Sequence, residues 1–233
     1  MKFAFMDSET GPEDQAKLER FEPQFTLRNK NDPAKVEAEL AEKRAKWYEE
    51  AALNPLTGRV LAVGFRLPDG QTYTAMLGDE NFLQERDLIE FGFQFLRDAH
   101  QGAAYKVVGF CNTSFDVPFW IKRAWALNIA VPPHLVSISG RWLRIPPWLV
   151  DLRTLWTFGD KWEPGKLKDL GEFMGVGTKI QEHSENFHEL WRDPSTRELG
   201  RAHLTNDLDL TEAVSLRMIP TIQPTLENEV QES

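Results

Sequence analysis

Residues 2–10 read KFAFMDSET, an apolar run that ends on two carboxylates, Asp7 and Glu9, one position apart. In an extended strand side chains alternate with period two, so both acids point to one face at the strand's end. Two like charges held that close favour a cation between them. Working outward, RVLAVGFRL (59–67) and QTYTAMLG (71–78) are joined by the hairpin turn Pro68-Asp69-Gly70 and predict two strands antiparallel to the first. KVVGF (106–110) is short and apolar after Lys106, the composition of a strand covered on both faces of a sheet. Another short strand is expected near WLVDL (148–152). The expected architecture is α/β: a mixed five-stranded sheet, three antiparallel strands and then parallel ones, flanked by helices.

Between these strands, residues 11–30 are polar and without clear periodicity, and read as loop. Asp32 and Pro33 open a surface helix with a thin apolar stripe of Val36, Leu40, Trp47 and Ala51. Asn81 is placed as the cap of a helix running to about His100, with Leu88, Gly92, Phe95, Leu96 and Ala99 buried. Further helices are expected at about 115–128, 167–174 and 201–218, and Pro220 and Pro224 are expected to end regular structure. The domain reading is one unit, 1–218, with a helical insertion at about 11–53 and a solvated tail from 219.

A length of 233 residues, 41% of them hydrophobic and 27% charged, suits one globular domain with a sizeable core. A net charge of −9 argues against coating nucleic acid by bulk electrostatics, but not against gripping a short piece through metal ions. The lone cysteine, Cys111, excludes an internal disulfide and a cysteine-built zinc site, and its apolar neighbours suggest a buried thiol. No stretch approaches the roughly 18 apolar residues of a membrane span, so the expectation is a soluble protein of the reducing cytoplasm.

Two further stretches repeat the pattern of acids set just past or beside buried structure. In GFCNTSFDVPFW (109–120) the apolar strand runs into Asn112, Phe115 and Asp116. In AHLTNDLDLTEAV (202–214) His203 and Asp207 are four apart and share a helix face. Four carboxylates and one imidazole make a hard, oxygen-rich donor set that suits Mg²⁺ or Mn²⁺ better than zinc.

Taken in order, these three segments resemble the motifs of the DEDD-type 3′-to-5′ exonucleases of the RNase H-like superfamily, which include the proofreading domains of family B DNA polymerases. FAFMDSET is similar to the first motif, Asp-x-Glu-Thr after an apolar strand, and NTSFDVPF to the second. VDLRTLW (150–156) and GKLKDLGEFMGVGTK (165–179) resemble the segments that connect the second motif to the third. In the third, His203-x-x-x-Asp207 combines the histidine of one branch with the spacing of the tyrosine branch.

The resemblance implies a 3′-to-5′ exonuclease, acting on DNA that is single-stranded, with two divalent cations, Mg²⁺ or Mn²⁺. It implies that Asp7 bridges both ions, that Glu9, Asp116 and Asp207 complete their shells, and that His203 takes a proton from the attacking water. Thr10, Asn112 and Phe115 would face the terminal nucleotide. The implied partner is a nucleic acid with a free 3′ end, with a polymerase or repair partner in trans left open, as is the oligomeric state. The chain ends soon after the third motif, so no polymerase is expected on it. An exoribonuclease, a short-oligonucleotide hydrolase and a non-catalytic nucleic-acid-binding module of the same fold are the alternatives.

Seven of the eight tryptophans fall between Trp120 and Trp191, interleaved with cations in FWIKRAW and SGRWLRIPPW. Most are expected in the core, with Arg141 and Trp142 as the pair best placed to meet unpaired bases. His183 and His188, five apart, do not share a helix face and read as surface residues.

Overall fold

The computed structural model describes residues 2–28, 32–103, 105–139, 142–144, 146–160, 162–177 and 187–231; side chains are described for 2–28, 32–101, 105–136, 146–160, 162–177 and 187–219. Alternation along strand β1 (Phe3–Pro12) decides which layer each residue joins. Ala4 and Met6 enter one core layer, whereas Phe5 packs into the other with Val108, Val150 and Leu208. β2 (Gly58–Arg66) and β3 (Thr72–Met76) extend the sheet antiparallel, and β4 (Lys106–Gly109) and β7 (Leu149–Asp151) extend it parallel on the other side. The order is β3-β2-β1-β4-β7, a mixed five-stranded α/β sheet as the sequence predicts. β5 (Ser137–Ser139) and β6 (Trp142–Arg144) form a separate antiparallel pair.

Helices cover both faces. α1 (Gln15–Leu18) and α2 (Pro33–Ala51) follow β1; of α2 only Ala51 is buried, in keeping with a surface helix. Asp32 caps α2 by accepting from the Ala34 amide at 3.1 Å. α3 (Glu85–Asp98) begins later than Asn81 suggests, because the Asp87 carboxylate closes its first turn on the Gln84 amide at 2.8 Å. Asn81 lies in the turn before it, beside an isolated bridge between Asp79 and Phe82. α4 (Val117–Ala126) packs with α3 on the first layer. There a Cβ on Gly92 would meet the Trp120 ring at 2.7 Å. α5 (Leu152–Trp156), α6 (Leu167–Met174), α7 (Phe187–Arg192) and α8 (Arg197–Gln231) complete the chain.

α8 starts before residue 201 and its backbone runs on past Pro220 and Pro224, where the sequence suggests an end. A proline removes one helical N–H and crowds the carbonyl four residues back, which weakens a helix without obliging it to stop. α8 crosses the sheet closely at Gly64 of β2, where an added Cβ would meet Leu204 Cγ at 3.0 Å and Leu208 Cδ1 at 3.1 Å. Gly64 is the direct partner of Asp7 in the β1–β2 ladder. The missing side chain at 64 therefore sets how near α8 comes to the acids of β1.

Candidate active site

β1 pairs with β4 only from Phe3 to Phe5, while its pairing with β2 continues to Pro12. Past Phe5 the β4 side of β1 is thus open, and the cleft lies there, at the carboxyl ends of the parallel strands where open α/β sheets offer space for ligands. It holds about 660 Å³ and is lined by Asp7, Ser8, Glu9, Phe115, Asp116 and Asp207, with Arg153, Lys166 and Lys168 among the residues of the facing wall. Asp7 and Glu9 are both partly exposed, with buried Ser8 between them, as strand alternation requires. A bulge between Glu9 and Thr10 ends the regular register.

The chain leaves β4 through Cys111, whose φ of +66° turns it in the left-handed region, and winds one π-helical turn over Asn112–Asp116. That turn delivers Asp116 to the cleft. Asp151, at the end of β7, holds it in place by accepting from the Cys111 amide (3.0 Å), the Thr113 amide (3.2 Å) and the Thr113 hydroxyl (2.7 Å). The same carboxylate caps α5 through the amides of Arg153 and Thr154. In the sequence Asp151 reads only as part of the short strand near 148–152 and of the segment VDLRTLW. Its signal was available: an acid closing a buried strand directly before a helical pattern is an N-cap.

The tightest cluster joins two elements. Glu9 of β1 and His203 and Asp207 of α8 bring one ligand atom each within 4.8 Å of one another. His203 Nε2 lies 3.4 Å from Glu9 Oε1 and 3.6 Å from Asp207 Oδ2. The imidazole is buried, 4% exposed, and Phe187 of α7 packs a tilted ring against it at 6.3 Å. Asp7 and Asp116 line the same cleft outside that three-residue group. Asp116 is buried and its carboxylate accepts from the Ser8 hydroxyl at 2.6 Å. Burial pushes its carboxyl up to about 7, against the pull of that hydrogen bond and with help from the charge of Asp151.

This donor set fits a hard divalent cation. Glu9, Asp207 and one imidazole nitrogen converge, Asp7 and Asp116 line the same cleft, and the buried Asp116 carboxyl raised by desolvation lacks the counter-charge that a cation supplies.

The remaining predicted residues fall at different depths. Phe115 lines the cleft and packs against Phe119 at 5.4 Å. Thr10 is half-buried beyond the bulge. Asn112 is 0% exposed, pressed against Gly109 rather than on the cleft wall, with both side-chain polar atoms lacking a hydrogen-bond partner. Cys111 lines the cleft, half-buried, and burial pushes its thiol up to about 11. His188 sits half-buried against Gly11 of β1 and burial lowers its pKa; His183 and Arg141 lie outside the described residues, as does the Trp142 side chain. Of the other tryptophans, Trp120 is fully buried, whereas Trp125 and Trp162 are exposed.

No helix among the described residues is long and apolar enough to cross a membrane. No protein-family model matches the sequence, and no curated protein matches it. Among solved structures, the chain is similar to the family B DNA polymerase from the hyperthermophilic archaeon Pyrobaculum calidifontis, with a TM-score of 0.62 at 17% identity. The match covers 94% of this chain and 25% of the polymerase, so the chain has the fold of about a quarter of that protein.

Proposed function

We propose that this protein is a divalent-metal-dependent 3′-to-5′ exonuclease acting on single-stranded DNA. The observation that carries the reading is the convergence of Asp7, Glu9, Asp116 and Asp207, from three distant segments, on one open cleft with His203 beside Glu9 and Asp207. A shared fold with part of a DNA polymerase and the three ordered motifs favour nucleic acid as the substrate. Asp7, Glu9, Asp116 and Asp207 would hold two Mg²⁺ or Mn²⁺ ions, which supply charge stabilisation at the attacking and leaving oxygens of a phosphodiester.

The chain's own residues do the rest. His203, buried and flanked by two carboxylates with the Phe187 ring beside it, would accept a proton from the attacking water. Arg153, Lys166 and Lys168 on the facing wall attract the phosphate backbone despite the chain's overall negative charge. Phe115 offers an apolar surface to the terminal nucleotide.

The test is a digest of 5′-labelled linear and circular single-stranded DNA and matched RNA, with Mn²⁺ and with EDTA. Metal-dependent stepwise shortening of linear DNA, with the circle intact, is the expected result. Nicking of the circle would indicate an endonuclease, and preferential loss of RNA an exoribonuclease.

A further inference from the structure

Helix α5 closes on Phe158, whose φ of +49° lies in the left-handed region, followed by Gly159 at +84°. The amides of Phe158 and Gly159 donate back to the carbonyls of Leu155 (3.4 Å) and Thr154 (3.2 Å). Glycine is the usual residue at such a helix end, because a side chain there is strained. Burial does not offset that strain: the Phe158 side chain is 97% exposed. Trp162, on the same loop, is 93% exposed, and Phe173 is 77% exposed with its ring edge-on to Trp156 at 5.7 Å. Folding alone does not explain three large aromatic side chains in water.

Phe158 lines a groove of about 670 Å³ together with Trp156, Leu155, Met174 and Met218, and Phe173 packs on the Trp156 ring of that lining. The groove backs directly onto the carboxylate cleft. Trp156 Nε1 donates to the carbonyl of Pro164 at 3.1 Å, and Pro164 and Gly165 line the cleft. A Cβ on Gly165 would lie 2.7 Å from Trp156 Nε1, so one layer of side chain separates the two depressions. Cations stand on both sides of this wall, Lys166 on the cleft and Arg217 on the groove. Basic groups that hold phosphates beside aromatic faces that hold bases are the pairing by which proteins bind single strands without reading sequence.

We infer that Phe158, Trp162 and Phe173 form a stacking surface for the unpaired bases of a single strand whose 3′ end lies in the carboxylate cleft. This rests on the exonuclease reading above and extends it to the nucleotides upstream of the scissile bond. Asp160 and Glu163 are on the same loop, Glu163 lining the groove, and their charge would repel phosphates from it.

The test compares fluorescence anisotropy of a labelled twelve-nucleotide oligothymidylate and a labelled trinucleotide in EDTA, for the wild type, Phe158→Gly, Trp162→Ala and Phe173→Ala. The wild type should bind the longer strand more tightly by about tenfold, and each variant should lose about fivefold or more of that advantage with little change for the trinucleotide. Phe158→Gly should melt no lower than the wild type, since it removes left-handed strain and no buried surface. Unchanged binding of the longer strand in all three variants overturns the inference, while Mn²⁺-dependent shortening by the wild type keeps the exonuclease reading. A change of sedimentation from dimer to monomer, with oligonucleotide binding unaltered, also overturns it and makes the patch a protein interface. If Phe158→Gly fails to fold, the claim that its ring is free of the core falls, and Trp162→Ala decides the rest. A wild type that neither binds nor shortens any oligonucleotide removes the exonuclease reading and this inference together.

Discussion

At the scale of single residues, the cleft concentrates negative charge beyond what the fold needs. Asp7 and Glu9 share one strand face, and Asp116 is buried with a raised pKa. Removing one acid should therefore abolish a metal-dependent activity without loosening the metal-free protein. Asp7→Ala is expected to lower Mn²⁺-dependent turnover by at least about 10³-fold while the urea midpoint in EDTA stays equal to wild type or rises. Thermal melting with and without Mn²⁺ supplies an independent check, since the metal-induced upward shift should shrink in the variant. Under the proposed exonuclease reading, His203 would have a separable role. General-base catalysis contributes about 10²- to 10⁴-fold, so His203→Ala should slow single-turnover cleavage by that order with oligonucleotide affinity little changed. His203→Tyr should restore part of the loss if a phenolic oxygen four residues before Asp207 can serve the same position.

Elements matter because they aim these side chains. The turn Asn112–Asp116 is pinned by Asp151 from the neighbouring strand β7. Asp151→Ala removes that pin and the cap of α5 at once. The expected cost is about 2–4 kcal/mol by urea denaturation, from a lost N-cap and several orphaned donors. Turnover should fall by more than the loss of folded protein explains, with KM less affected, because Asp116 would no longer be delivered to the cleft. Gly64 acts similarly on α8: without a Cβ at the centre of β2, Leu204 and Leu208 settle onto the sheet and carry His203 and Asp207 toward Glu9.

The molecule as a whole is tied together on the opposite side of β1 by one buried arginine. Arg123 of α4 donates to both oxygens of Glu85 (2.8 and 2.6 Å), to Glu13 (2.6 Å) and to the Pro55 carbonyl (3.1 Å). Glu85 in turn accepts from the Val60 amide of β2 at 2.9 Å, so this network joins α4, α3, β2 and the chain just past β1. Arg123→Leu would leave Glu85 buried without its cation and Glu13 with Lys17 alone, and should destabilise the fold by about 3–5 kcal/mol in urea. The same network predicts an acid dependence. Burial pushes the Glu13 carboxyl up, but Arg123 and Lys17 more than offset it and hold it below its ordinary value of 4.5. A depressed carboxyl contributes stability that is present above the unfolded pKa and is lost as pH falls through the folded one. Urea midpoints should therefore decline below about pH 4.5 in the wild type, and less steeply in Arg123→Leu, where only the Lys17 share of that stabilisation remains.

Periodicity sufficed for the five strands of the main sheet, though not for the β5–β6 pair in the Pro-rich stretch. Alternation in residues 2–10 places Asp7 and Glu9 together, and the Pro-Asp-Gly turn pairs β2 with β3, because both are local consequences of backbone geometry. The spacing of His203 and Asp207 likewise follows from one helical turn. What linear patterns do not carry is distance between segments. That Glu9 rather than Asp7 lies against His203, that Asp116 is buried on Ser8, and that Asn112 is sealed against Gly109 depend on how closely α8 and the 112–116 turn approach the sheet. The bare backbone of Gly64 and the hydrogen bonds to Asp151 set those approaches, and each joins residues far apart in the chain. Helix ends were missed for a related reason: the Asp87 box displaced Asn81 as the start of α3, and α8 continues through prolines whose local penalty favours a stop. Local chemistry thus wrote the strands and the acids, and only packing between distant segments determined which of those acids meet.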